Sequence, residues 1–99
     1  MIVRIVKMEF KEECVEEFIE LFESRKEQIR NFKGCQYLEL LQGTEAKSKV
    51  FMTYSYWKSE KELNDYRYSS LFEETWTLTK KMFSRKPEAI SFKKLHSLD

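Results

Sequence analysis

Apolar positions along the chain follow two rhythms. From Ile2 to Phe10 they alternate, with Ile2, Arg4, Val6, Met8 and Phe10 on one side and Val3, Ile5, Lys7 and Glu9 on the other. This is the period of a strand. From Lys11 to Phe32 the period becomes helical: Val15, Phe18, Ile19, Phe22, Lys26 and Ile29 recur at three and four residues, and glutamates fill most of the early positions between them. Acid early and base late (Arg25, Lys26, Arg30) complements the helix dipole. Gly34 ends this element with a left-handed cap or turn.

Cys35 to Gln42 and Lys49 to Trp57 read as strands joined by the polar stretch Gly43 to Ser48. In the later strand Val50, Met52, Tyr54 and Tyr56 share one face, and Phe51, Thr53, Ser55 and Trp57 share the other. Two capping boxes, Ser59 to Glu62 and Ser70 to Glu73, open helical pieces over about Glu60 to Tyr68 and Leu71 to Phe83. Pro87 breaks the helical run before a last strand, Glu88 to Leu95.

The order βαββαβ predicts an α+β, ferredoxin-like fold: a four-stranded antiparallel sheet with the helices on one face, in one domain over residues 1–99. The strands carry apolar or aromatic residues on both faces, so the helices can cover only half of them. The simplest cover for the rest is a second copy of the chain, and a homodimer is expected.

Composition sharpens this picture. Only Gly34, Gly43 and Pro87 punctuate 99 residues, where average usage would supply about twelve such residues. Long regular elements are expected, and a phosphate-cradling glycine loop is not. Eighteen basic against 17 acidic side chains give a net charge of +1, which argues against nucleic acid as a partner. The strand Lys49-Val50-Phe51-Met52-Thr53-Tyr54 also lacks the glycine of an RNA-recognition signature. No apolar run is long enough to span a membrane, and the charged N-terminal stretch reads as a strand and not as a signal peptide. With two cysteines and no export signal, reduced thiols and a cytoplasmic location are expected.

Candidate chemistry is sparse. His96 is the sole histidine and reads as an exposed terminal residue. Cys14 and Cys35 match no zinc spacing. Arg30 and Lys33 could lower the thiol pKa of Cys35, but a buried, inert thiol is the preferred reading. The glutamate run of the first helix reads as a solvated face. No metal, no cofactor and no catalytic acid–base pair is expected. The aromatic residues are more informative. Tyr54, Tyr56, Tyr66, Phe72 and Trp76, with Arg67, could line a cleft between sheet and helices that takes a flat aromatic ligand. The competing reading is that these rings fill the core.

Several segments together resemble the antibiotic biosynthesis monooxygenase family. They are Ile2-Val3-Arg4-Ile5-Val6, Phe32-Lys33-Gly34-Cys35, Tyr56-Trp57-Lys58-Ser59, and Tyr66-Arg67-Tyr68-Ser69-Ser70-Leu71-Phe72 followed by Trp76, Lys80, Phe83 and Pro87. The resemblance implies a dimeric α/β barrel of two ferredoxin-like subunits, each with its own cleft. It implies either a cofactor-independent monooxygenase acting on an aromatic or quinol-like substrate, or a non-catalytic dimeric ligand-binding or regulatory protein on the same scaffold. The family's haem-degrading branch uses a helix-borne histidine. Trp76 stands at the matching place, Tyr66 stands for that branch's cleft tryptophan, and Val6 or Lys7 replaces its first-strand asparagine. Haem degradation is therefore not expected. In the oxygenase reading Arg67 is the candidate for stabilising a substrate anion.

Overall fold

The computed structural model describes residues Met1–Asp99. The elements run β1 (Ile2–Glu9), a 3-10 turn (Glu12–Cys14), α1 (Val15–Arg30), β2 (Cys35–Gln42), β3 (Val50–Trp57), α2 (Glu60–Arg67), α3 (Ser70–Lys80) and β4 (Glu88–Lys93). The four strands form one sheet in the order β2-β3-β1-β4, with every neighbouring pair antiparallel. This is the α+β, ferredoxin-like arrangement expected from the strand and helix order. No helix is long and apolar enough to cross a membrane.

The register of the central pair assigns the two faces. Met8 stands opposite Phe51, Val6 opposite Thr53, Arg4 opposite Ser55 and Ile2 opposite Trp57. Because side chains alternate along a strand, these residues share one face. That face meets the helices. Met8, Phe10, Phe51 and Met82 are buried with Phe18 of α1, and Phe10 stacks on Phe18 at 4.1 Å between ring centroids. A second cluster at the other end of the strands joins Cys35, Trp57 and Leu63, with Ile2, Phe32 and Tyr66 packed against it.

Several boundaries differ from the sequence expectation: β4 ends at Lys93 and not Leu95, and the first helix becomes α-helical at Val15, after the 3-10 turn, and not at Lys11. The first helix ends at Arg30 and not at Phe32. Phe32 turns toward Tyr66, with ring centroids 5.4 Å apart, and its carbonyl accepts from the Cys35 amide. Gly34 therefore takes the turn of the two expected alternatives, left-handed at φ 93° at the entry to β2. α3 is capped by Ser69 and not Ser70: the Ser69 hydroxyl accepts from the Phe72 amide and donates to the Tyr66 carbonyl. One serine thus ties the end of α2 to the start of α3. Finally, α3 stops at Lys80. Met82 leaves the helical path to enter the core, and its carbonyl accepts from the Lys11 amide while Phe83 bridges to Phe10.

Gly34 is constrained twice. Its positive φ disfavours any L side chain, and a Cβ there would collide with the Glu62 side chain lying over it. Gly34→Ala is expected to lower stability by about 1–3 kcal/mol, read as a lower urea midpoint at unchanged slope.

Candidate functional site

The two apolar clusters do not meet. Between them the sheet carries short or polar side chains on its helix-facing side: Val6, Thr53, Ser55 and Ala89, with Arg4 beside them. These cannot reach the helices, and a cavity of about 270 Å³ remains. Its walls are Phe18, Phe22 and Ile29 of α1, Leu63, Tyr66 and Arg67 of α2, and Phe72, Thr75, Trp76 and Thr79 of α3. The volume lies just below the ~300–1,000 Å³ typical of small-molecule sites.

The aromatic wall is continuous. Trp57 stacks on Tyr66 at 4.9 Å, Tyr66 meets Phe72 edge-on at 5.2 Å, and Phe72 lies nearly parallel to Trp76 at 5.7 Å. Trp57 is locked from behind, since its indole N–H donates to Ser55 Oγ at 2.9 Å. Burial drives the Tyr66 phenol far above its ordinary pKa, with the neighbouring Cys35 adding to the effect. Tyr66 is therefore a neutral phenol at physiological pH and has no role as a base. Thr75 Oγ1 is buried without a hydrogen-bond partner while lining the same space.

Charge in the cavity is of one sign. Arg4 and Arg67 both line it, and no Asp, Glu or His does. Burial lowers the Arg4 pKa from its usual value, and the nearby Arg67 charge lowers it further. Arg4 nonetheless stays cationic, as arginine does in proteins. Neither arginine enters an ion pair: the salt bridges join Lys26 to Glu23 and Lys61 to Asp65, both on the surface. Two guanidiniums on one apolar cavity without a carboxylate give it a positive potential.

The family model described as Antibiotic biosynthesis monooxygenase matches residues 1–77, from β1 through most of α3. The chain belongs to the antibiotic biosynthesis monooxygenase family. Among solved structures it is similar to a conserved protein from Methanosarcina mazei, at 25% identity over 95% of this chain and 93% of that one with a TM-score of 0.86. It is similar also to a Nitrosomonas europaea protein assigned as an antibiotic biosynthesis monooxygenase, at 19% identity over 97% and 100% of the two chains with a TM-score of 0.89. A crystal structure of a further antibiotic biosynthesis monooxygenase superposes with a TM-score of 0.89 at 14% identity, over 97% of this chain and 100% of that one. No curated protein matches the sequence.

Of the six residues expected at the cleft of this family member, the structure gathers four: Tyr66, Arg67, Phe72 and Trp76 all line the cavity. Tyr54 and Tyr56 do not. They alternate with Ser55 and Trp57 on β3 and so point to the opposite side of the sheet, where they contact each other and Tyr37. The helices cover the face of Ser55 and Trp57, and strand alternation then places these two tyrosines outside the cavity. Sequence reasoning missed Arg4, Ser55 and Thr75. Arg4 had a signal: a lone charge within the row Ile2, Val6, Met8 and Phe10 is out of place on a core face unless it has a task. Trp76, at the place of the haem branch's histidine, offers only an indole N–H donor and no lone pair for iron.

The other reactive candidates lie apart from the cavity lining. Cys35 is buried, and that burial raises its thiol pKa against the opposing effects of the Tyr37 hydrogen bond and Arg30. Cys14 is a free thiol, half-buried against the core. His96 is exposed beyond β4, and the glutamates of α1 are exposed. No group of three or more His, Cys, Asp or Glu side chains is placed to hold a metal ion.

The buried phenol has a thermodynamic consequence. Tyr66 ionises more readily in the unfolded chain than in the folded one, so its contribution is present below the unfolded value of about 10 and fades as pH rises above it. The loss of stability between pH 9 and 11 is expected to be shallower in Tyr66→Phe than in the parent, measured by denaturant titration at each pH.

Proposed function

We propose that this protein is a cofactor-independent monooxygenase that oxidises a small aromatic or quinol-like substrate in the cavity between sheet and helices. The observation that carries this reading is the cavity itself: an aromatic-walled space whose charged lining residues are Arg4 and Arg67. Stacked rings suit a flat substrate, and unpaired guanidiniums favour the ionised form of a phenol over its neutral form.

The chemistry then needs little from the protein beyond binding. The substrate phenol loses its proton to water, and Arg67 stabilises the resulting anion. The electron-rich ring reduces O2, and a carbon–oxygen bond forms at a ring carbon. That carbon's hydrogen leaves as a proton while the O–O bond breaks. One oxygen atom stays on the ring as a carbonyl and the other leaves as water, the substrate supplying all the electrons. Phe72, Trp76 and the stacked Trp57–Tyr66 pair hold the ring and limit water around it. Because no carboxylate or imidazole lines the cavity, the substrate's own acidity sets the pH dependence. With quinols and anthrones as substrates, an oxygen electrode should record uptake whose kcat/KM rises with pH along the substrate's pKa. Arg67→Ala should lower kcat/KM by at least about tenfold, below the ~10²–10³ of a buried oxyanion donor because Arg67 is exposed. Ligand binding without oxygen uptake would favour the non-catalytic binding protein instead.

The active form is a homodimer built on the sheet face opposite the helices. Supporting this, Tyr37, Leu41, Ile90 and Phe92 stay 40%, 44%, 52% and 46% exposed there, and β4 is exposed along its whole length. Exposed apolar side chains on both edge strands of one sheet face call for a cover. Light scattering should give twice the chain mass, and Phe92→Glu should halve it.

A further inference from the structure

The sheet floor holds an arrangement more specific than a pair of positive charges. Arg4 on β1 stands opposite Ser55 of β3 and Ser91 of β4, so the three residues form one row across the sheet on its helix-facing side. Each hydroxyl oxygen already accepts a hydrogen bond. Arg4 donates to Ser91 Oγ at 3.0 Å, and the Trp57 indole donates to Ser55 Oγ at 2.9 Å. What remains for a ligand is mostly donors: the other guanidinium N–H groups of Arg4 and the Ser55 O–H, beside one further lone pair on the Ser55 oxygen. Both residues line the cavity, and no carboxylate does. Ser91 aims the guanidinium. An ionised carboxylate accepts hydrogen bonds only, at two oxygens, and matches a planar guanidinium fork. A phenol would leave most of these donors unanswered.

We propose that Arg4 and Ser55 form a carboxylate-binding subsite, and that the cavity selects aromatic carboxylates. This rests on the cavity being the substrate site and names the class of molecule it takes. The carboxylate seats on Arg4 and Ser55, and the ring lies against Trp57, Tyr66 and Phe72. Arg67, at the exposed C-terminal end of α2, remains free to face the phenolate that forms during oxidation. Arg4 is thereby a binding and positioning residue rather than a catalytic one. The volume of about 270 Å³ suits a ligand of two or three fused rings, smaller than a drug-sized molecule.

Calorimetric titration with 2-naphthoate and with 2-naphthol, which is neutral at pH 7, tests this. The parent protein should bind 2-naphthoate at least about tenfold more tightly, as charge-assisted hydrogen bonds to a carboxylate predict. Arg4→Gln should bring 2-naphthoate down to the level of 2-naphthol. Ser91→Ala, at an exposed site that loosens the guanidinium without removing its charge, should lower 2-naphthoate affinity by a smaller factor. It serves as the working variant if Arg4→Gln does not fold. Added salt should weaken 2-naphthoate binding and spare 2-naphthol. Equal affinities for the two probes, no binding of either, or a preference that survives both substitutions overturns the proposal. The oxygenase reading fails separately, by absence of oxygen uptake both with simple quinols and anthrones and with a quinol that carries a ring carboxylate, because 2-naphthoate has no phenol to oxidise and reports binding alone.

Discussion

The antiparallel pairing of β1 with β3 is the constraint on which the rest of this molecule depends. These are the two central strands, and their register places Met8 against Phe51 and Arg4 against Ser55. A slip of one residue would exchange the two faces of either strand. Val3, Ile5 and Lys7 of β1 would then turn toward the helices, and the stacked Phe10–Phe18 core would lose its floor. The same pairing forces the rings of Tyr54 and Tyr56 away from the helices. Core, cavity and exposed apolar face all follow from one alternation.

The cavity is a consequence of side-chain length along that floor. At one end Met8, Phe10 and Phe51 reach α1 and fill the space, with Met82 closing it from beyond α3. At the other Trp57 reaches α2 and stacks on Tyr66. Between them lie Val6, Thr53, Ser55 and Ala89, which are too short to do so. The space stays walled because Ser69 fastens α2 to α3 at a bend, which brings Tyr66 and Phe72 into edge-on contact. Arg4 is the residue hardest to explain by stability alone. Burying part of a guanidinium beside a second one, without an acid, is unfavourable for the folded chain, a cost that the proposed carboxylate would offset.

Much of the architecture was legible because periodicity reports local geometry directly. The four strands, the break at Pro87 and the helical character of the segments around Val15–Arg30, Glu60–Arg67 and Ser70–Lys80 follow from spacing and caps. Boundaries were less legible where a long-range contact overrode local preference. Phe32 left the helix for Tyr66, and Met82 left α3 for the core. At the site, Tyr66, Arg67, Phe72 and Trp76 were legible as a group because they share one short stretch of chain. Arg4 and Ser55 were not, since they come from strands about fifty residues apart and meet only through register.

Element order, the two-faced strands and the aromatic supply are set locally, because each depends on neighbours one to four residues away. Which face of the sheet the helices cover is set by long-range packing. That choice sent Tyr54 and Tyr56 outward, and it gathered Arg4, Arg67 and an aromatic wall around one space. Alternation states that two faces differ, but which of them becomes the inside is settled by the competing burial of Phe10, Phe18, Phe51 and Trp57, a sum over contacts distant in sequence.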